Sequence, residues 1–343
     1  MRVYFSPDHK LRDAASELHG GLLVKPFEGP FRAELVAAAL RDQGHGDFRE
    51  PPSHGLETAL KLHDAGYVAF LQTAWKRWVA DGYKGEAIPS CFAVRRMAQN
   101  RVPADIDGAL GYYAFAAETA ITQGTWRAAT SAMDSAIAGA DHVADGNRAA
   151  FALCRPPGHH AAIDLFGGYC FLNNAAIAAQ RLLDKGAGRV AVLDVDFHHG
   201  NGTQDIFYRR GDVFFASIHG DPEHAFPHFL GFADETGEAQ GEGSTANYPL
   251  PKGTNYQAWS AALDHALHRI GRFGAEALVV SLGVDTFERD PISFFRLTSQ
   301  DFIRYGGVLA RAGLPTLFCM EGGYGVEELG LNAANVLTGF EQG

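Results

Sequence analysis

The sequence predicts an α/β domain: a mostly parallel, multi-stranded sheet with helices on both faces. Three observations point there. Short apolar runs rich in Val, Phe and Leu recur along the second half of the chain, as strands buried on both faces require. Stretches of helical periodicity separate them, which implies crossover connections and parallel pairing. The segments that carry His, Asp, Tyr and Gly come directly after the apolar runs. In an open α/β sheet the ligand crevice lies at the carboxyl ends of the strands. One site assembled from segments distant in sequence is therefore expected at those ends.

The elements follow in order. Residues 1–10 (MRVYFSPDHK) read as a strand and a turn. Residues 76–110 mix Trp78, Gly82, Gly85, Pro89 and Pro103 with basic residues and no clear period, so a long functional loop or an insertion is expected. Ala149–Cys154 reads as a strand running into Arg155-Pro156-Pro157-Gly158-His159-His160, and Asn173–Lys185 as a helix. Arg189–Leu193 is a strand running into Asp194-Val195-Asp196-Phe197-His198-His199-Gly200-Asn201-Gly202. Val213–Ser217 is a further strand, and Tyr256–Phe273 is a helix. Ala277–Leu282 is a strand ending in Gly283-Val284-Asp285. Ser299–Ala312 is a helix, and Pro315–Met320 is a strand running into Glu321-Gly322-Gly323-Tyr324-Gly325. The whole of residues 1–343 reads as a single domain without linker, internal repeat or low-complexity segment.

Composition excludes several function classes. The 343 residues carry 29 basic and 40 acidic side chains, a formal net charge of −11. That argues against a nucleic-acid binder, which needs a basic face, and leaves no polybasic patch for an anionic membrane. Four cysteines without a CxxC pair form no disulfide framework and fit a reducing compartment. The N-terminal stretch lacks the pattern of a secretory signal, and no run reaches the ~18 apolar residues of a membrane span. A soluble, cytoplasmic protein is expected.

Three segments carry chemistry. In Asp194-x-Asp196-x-His198, side chains alternate along an extended strand end, so all three fall on one side. Two carboxylates and an imidazole suit a divalent cation of the Zn, Fe, Co or Mn class, with Asp285 as a further ligand. The alternative is a pair of helix-capping aspartates beside a core histidine. In the Arg155–His160 turn, two prolines and a glycine fix the backbone of adjacent imidazoles suited to proton transfer near neutral pH; the alternative is a turn with incidental histidines. In Glu321–Gly325, glycines free the backbone to place the Tyr324 phenol as a hydrogen-bond donor to an oxyanion; the alternative is a glycine-rich turn with a packed tyrosine. The last pattern is not GxGxxG and no Lys-Ser/Thr follows it, which weighs against phosphate binding.

Taken together and in this order, RPPGHH, GGYCFLNN, DVDFHHGNGTQDIF, GVDTFERDP and EGGYG resemble the histone deacetylase superfamily of metal-dependent amidohydrolases. The stretches FSPDHKLRDAASELHGG, GYKGEAIPSCFAVRR and FGGYCFLNNAAIAAQRLLDKGA are similar to its bacterial acetylpolyamine amidohydrolase branch. The resemblance implies an arginase–deacetylase fold with one catalytic Zn2+ per chain, replaceable by Fe2+ or Co2+. The implied reaction is hydrolysis of the N-acetyl amide of acetylated polyamines or diamines. Position by position it implies Asp196, His198 and Asp285 as metal ligands, which removes Asp194 from that set. Asp194 is then the hydrogen-bond partner of His159, and with Asp196, His198, Ser217 and Ile218 it surrounds a structural K+. His160 becomes the general base and acid, and Tyr324 the oxyanion donor. Tyr169 and Phe226 become tunnel walls, with Gly168 giving room and Ile292 adding to the lining.

Glu17, Asp107 and Glu118 are candidate acids at the mouth, where they would attract the cationic end of the substrate; the resemblance brings Glu118 in from a neighbouring subunit. It also implies a homodimer paired through residues 76–110. One departure from the best-known eukaryotic members is Asn201, where those members carry an aspartate. A neutral amide cannot hold a proton on His160 as a carboxylate would, so His160 should be the less basic of the pair. The competing readings are a protein-lysine deacetylase, a two-metal ureohydrolase, which would want D-x-H-x-D, and a non-catalytic binding module, which loss of His160, Tyr324 or a ligand would favour.

Overall fold

The structure is a computed structural model that describes residues 1–343. In chain order the strands are β1 (Arg2–Tyr4), β2 (Glu17–His19), β3 (Leu22–Val24), β4 (Asp47–Arg49), β5 (Ala149–Ala152), β6 (Val190–Asp194), β7 (Val213–Gly220), β8 (Thr245–Leu250), β9 (Ala277–Leu282) and β10 (Thr316–Met320). The helices are α1 (Phe31–Asp42), α2 (Ala65–Ala80), α3 (Ile106–Tyr113), α4 (Thr125–Ala144), α5 (Asn174–Asp184), α6 (Asn201–Phe207), α7 (Tyr256–Phe273), α8 (Ser299–Ala310) and α9 (Leu329–Gln342). Eight strands form one sheet in the order β4-β1-β5-β10-β9-β6-β7-β8, every neighbouring pair parallel. β2 and β3 form a separate antiparallel hairpin.

The apolar runs pack as their period demands. Within β6, Val190 and Val192 enter the core that holds α2, α3, α4 and α5, while Ala191 and Leu193 enter the core that holds α1, α7, α8 and α9. Helix ends follow local chemistry. The Asn173 side chain caps α5 by accepting from the Ala176 N–H, and Asn255 caps α7 through Ala258. Gly274 closes α7 at φ 77°, a left-handed position that glycine takes without strain. Thr298 and Asp301 form a reciprocal capping box at α8.

Two elements depart from the sequence reading. β7 runs on to Gly220 because it pairs with β8, whose TANYPL sequence is no apolar run. β8 is an edge strand that becomes less buried toward its end and tolerates Pro249 there. Residues 76–110, expected to be irregular throughout, are helical at both ends. Trp78 belongs to the buried face of α2 with Tyr67, Phe70, Leu71 and Ala74. Asp105 caps α3 by accepting from the N–H groups of Asp107 and Gly108. Only residues 81–105 run without helix or strand between them, and their start folds back on α2. There the Trp78 and Tyr83 rings stack at 3.8 Å, and the indole N–H donates to the Gly85 carbonyl at 2.8 Å. No helix is long and apolar enough to cross a membrane.

Candidate active site

β5, β10, β9 and β6 are consecutive in the sheet although they are far apart in the chain. Their carboxyl ends therefore bring the turns after residues 152, 320, 282 and 194 side by side. β6 stops at Asp194, so strand alternation does not carry through to Asp196 and His198. Asp194 instead turns toward the histidine pair: its Oδ2 accepts from His159 Nδ1 at 2.9 Å, and its Oδ1 from the Asp196 N–H at 3.1 Å. The expectation from spacing alone, that Asp194 joins Asp196 and His198 as a ligand, is thus corrected.

Asp196, His198 and Asp285 bring one donor atom each within 4.8 Å of one another, all buried. His198 Nδ1 lies 3.2 Å from Asp196 Oδ1 and 3.1 Å from Asp285 Oδ2. Backbone N–H groups fix both carboxylates: Gly322 donates to Asp196 Oδ2 at 2.8 Å, and Phe197 to Asp285 Oδ1 at 2.8 Å. No arginine or lysine forms an ion pair with either carboxylate. A side chain at Gly283 would put its Cβ 2.0 Å from Asp196 Oδ2, so only glycine leaves room there. Two buried carboxylates with no arginine or lysine partner, converging with an imidazole, are a donor set that fits a divalent cation. A second buried trio, His159, Cys170 and Glu321, is also close-set. In it Glu321 already accepts from the N–H groups of Gly158 at 2.6 Å and His159 at 3.2 Å.

The electrostatics follow from burial. Burial and the neighbouring Asp196 charge push Asp285 up to about 7, against the His198 hydrogen bond. For Asp196 burial also acts upward, but the His159 charge and the His198 hydrogen bond outweigh it and hold the group below the usual carboxylate range. Burial disfavours charge on His159, yet Asp194 and Asp196 overcome it and raise the ring to about 10. His160 moves the opposite way: burial, then the charges of His159 and His198, lower it well below the usual histidine value. Its Nδ1–H donates to Asn201 Oδ1 at 2.6 Å, which leaves Nε2 with a free lone pair. The asymmetry has the sign expected from an amide at position 201.

Above these groups lies a cavity of 290 Å3 that His160, His198, Tyr169, Phe226 and Tyr324 line. The Tyr324 hydroxyl makes no hydrogen bond within the protein, and the ring packs under the Arg32 guanidinium at 4.7 Å. Gly168, at φ 55°, also faces the cavity, where a Cβ would meet the His160 ring at 2.2 Å. Ile292, Glu17 and Glu118 complete the expected lining. Glu17 accepts from the Tyr169 hydroxyl at 3.1 Å and the Phe27 N–H at 3.2 Å; burial pushes it up to about 7 against those bonds. Glu118 accepts from the Gly168 N–H at 2.7 Å and the Thr119 hydroxyl at 2.8 Å.

Two positions differ from the sequence reading within the single chain. Glu118 lines the cavity of its own chain, because the Gly168 bond straps it there. Asp107 does not line the cavity of its own chain; its carboxylate is engaged by the Ser90 N–H at 2.9 Å and by the Ser90 hydroxyl. Ser217 lies opposite Asp194 in the β6–β7 register, with Ile218 next to it, and its hydroxyl pairs with His219 Nδ1 at 2.8 Å. The sequence reading missed Leu18, His19, Phe197, His224, Ala225 and Phe294 in the lining. Phe197 sat inside the DVDFHH motif, and Leu18 and His19 inside the quoted FSPDHKLRDAASELHGG stretch, but none was read as lining; His224, Ala225 and Phe294 come from loops with no local chemical signature.

Residues 26–340 match the histone deacetylase domain family. The chain is 67% identical over 339 residues to an acetylpolyamine amidohydrolase of Mycoplana ramosa, covering 99% of each chain. It is 56% identical over 342 residues to acetylpolyamine amidohydrolase 1 of Pseudomonas aeruginosa, again covering 99% of each. The crystal structure of an acetylpolyamine aminohydrolase from Burkholderia pseudomallei superposes with a TM-score of 0.94 at 41% identity, covering 99% of this chain and 98% of the other.

Proposed function

The chain belongs to the histone deacetylase family, and from that premise we propose that it is a metal-dependent deacetylase that hydrolyses the N-acetyl amide of acetylated polyamines and diamines, releasing acetate. The observation that carries this reading is the Asp196–His198–Asp285 donor set beside the cavity, together with two carboxylates, Glu17 and Glu118, in the cavity wall. Those three side chains would hold a divalent ion, Zn2+ or in substitution Fe2+ or Co2+, which supplies Lewis-acid polarisation of the acetyl carbonyl and a water of lowered pKa.

The rest is the work of the chain's own side chains. His160 Nε2, left unprotonated by its bond to Asn201, takes the proton of the attacking water and returns it to the leaving amine. Asp194 holds His159 charged beside it, so that the positive charge of one ring keeps the other neutral. The Tyr324 hydroxyl, with no partner in the protein, donates to the carbonyl oxygen as negative charge grows on it. Tyr169 and Phe226 confine a slender alkyl chain, and Glu17 and Glu118 attract its distal ammonium. A structural K+ among the oxygens of Asp194, Asp196, His198, Ser217 and Ile218 belongs to the same proposal, as do a cytoplasmic location, which the four free cysteines fit, and a homodimer paired through residues 76–110. The exposed Tyr83, Val94, Met97 and Val102 on that segment support the pairing. A 37.0 kDa particle in light scattering would refute it.

The proposal is tested by acetate release from acetylated diamines and from an acetyl-lysine peptide, before and after dialysis against a strong chelator. Activity should favour the diamines, vanish with the metal and return with Zn2+ or Co2+. Full activity in protein shown metal-free by elemental analysis would overturn it. A higher kcat/KM on the peptide would favour a protein-lysine deacetylase. The ureohydrolase reading lacks support, because Asp194 is committed to His159 and stands outside the donor set.

A further inference from the structure

Tyr324 sits in a glycine-flanked turn, so the phenol stands where that turn is held. Three side chains hold it. Asp196 Oδ2 accepts from the Gly322 N–H at 2.8 Å. Arg32 donates to the carbonyls of Gly323 at 2.7 Å and Glu321 at 2.8 Å. The third, Asp290, is the one that touches the Tyr324 peptide itself: its Oδ2 accepts from the N–H of Tyr324 at 2.7 Å and of Gly325 at 3.1 Å. Its Oδ1 accepts from the N–H of Ile292 at 3.1 Å, which ties the same carboxylate to a residue of the cavity wall.

Asp290 is 7% exposed, and no arginine or lysine pairs with it; its neighbour Arg289 turns outward to Glu327 and Glu328. A carboxylate kept in the interior without a cation, satisfied by backbone N–H groups alone, is costly unless those bonds are what it is there for. It leaves the same loop after β9 that supplies Asp285, so the loop that delivers a metal-ligand candidate also anchors the turn that delivers the phenol.

We infer that Asp290 is a positioning residue for Tyr324: its carboxylate fixes the peptide from which the phenol projects, and the rate of amide hydrolysis depends on that hold. The inference rests on the proposed role of Tyr324 as oxyanion donor. A misplacement of about 1 Å in a reacting group costs about 100-fold in rate. A hydrogen bond to a charged group is worth roughly tenfold or more.

The test is a double-mutant cycle on the metal-loaded enzyme, with acetate release from an acetylated diamine as the readout. Asp290→Ala should lower kcat about 100-fold with KM within about threefold. Asp290→Asn, whose amide oxygen can still accept from the Tyr324 and Gly325 N–H groups, should recover kcat to within about tenfold of wild type. In a Tyr324→Phe background both substitutions should change kcat by less than about threefold, because the hydroxyl they place is gone. Metal content by elemental analysis should equal wild type in every variant.

Equal fractional losses in both backgrounds would overturn the inference and leave Asp290 a loop staple. Loss of bound metal would overturn it in favour of an effect on Asp285. If Asp290→Ala does not fold, Asp290→Leu, which also lacks an acceptor but fills the space, takes its place in both backgrounds with the same expected losses. Near-full kcat in Tyr324→Phe itself would sink the role of Tyr324, an outcome distinct from a defective Tyr324→Phe combined with an unaffected Asp290→Ala.

Discussion

Asp196, His198 and Asp285, at the floor of the cavity, are 0–7% exposed and stand in turns that leave neighbouring strands of one sheet. Glu17 and Glu118, the proposed mouth acids, are respectively 2% exposed and half-buried, and stand on a three-residue hairpin strand and in an irregular stretch between α3 and α4. The floor inherits its geometry from the sheet, through bonds such as Gly322 N–H to Asp196 and Phe197 N–H to Asp285. The mouth inherits its geometry from single long-range straps: Glu118 to Gly168, Thr119 to Tyr169, Glu17 to the Tyr169 hydroxyl. Substitutions at the floor should therefore act on the chemical step, and substitutions at the mouth on the choice of substrate.

The sharpest break in that comparison would come from His160. His160→Ala should lower kcat at least about 1000-fold with KM little changed, since both proton transfers lose their carrier. A loss below tenfold in steady-state kinetics would take His160 out of the floor's chemistry.

The next effect concerns the scaffold beneath the floor. His63 is buried, its Nδ1–H donating to the Ala162 carbonyl at 2.8 Å and its Nε2 accepting from the Asn173 N–H at 3.0 Å. Burial, against its backbone bonds, lowers its pKa to about 4. The unfolded chain then binds that proton first as pH falls, so the contribution is complete above about 6.5 and is lost toward 4. The full difference is roughly 3 kcal/mol. Urea denaturation across that window should show wild type losing more stability than His63→Gln. Parallel slopes would mean that His63 is not held neutral.

The smallest effect is expected at the mouth. Glu118→Gln keeps an acceptor for the Gly168 N–H but removes the charge. It should raise KM several-fold, on the order of 1 kcal/mol, for an acetylated diamine at low salt and leave a neutral acetyl amide of equal length unaffected. Equal changes on both substrates would erase the distinction between floor and mouth.

The sequence made the floor legible because its residues sit directly after apolar runs. RPPGHH, DVDFHH, GVD and EGGYG each announce a strand end, and a strand end fixes a side chain to within a residue or two. Even there, strand alternation alone misplaced Asp194, because β6 ends at that residue and the chain turns. Asp290 and Glu321 lay within quoted motifs, but nothing local says that their carboxylates accept from the backbone of another turn. The mouth was harder to read. Asp107 looked like any other acid, and nothing in the sequence showed that its carboxylate is engaged by Ser90, away from its own chain's cavity. Helix α4 was not singled out either: it buries small residues on most of its surface and shows no clean apolar stripe.

By itself, then, the order of apolar runs, caps and glycine turns determined an α/β domain with its chemistry at the carboxyl ends of a parallel sheet. These are local properties, set by side-chain period and by the backbone freedom of a few residues. The strand order β5-β10-β9-β6, which sets four distant turns side by side, was decided only in three dimensions, as were the attachment of Glu118 to its own chain's cavity and the commitment of Asp194 to His159. Each of these depends on which surfaces bury against each other and which buried polar groups find partners, and a linear pattern does not carry that information.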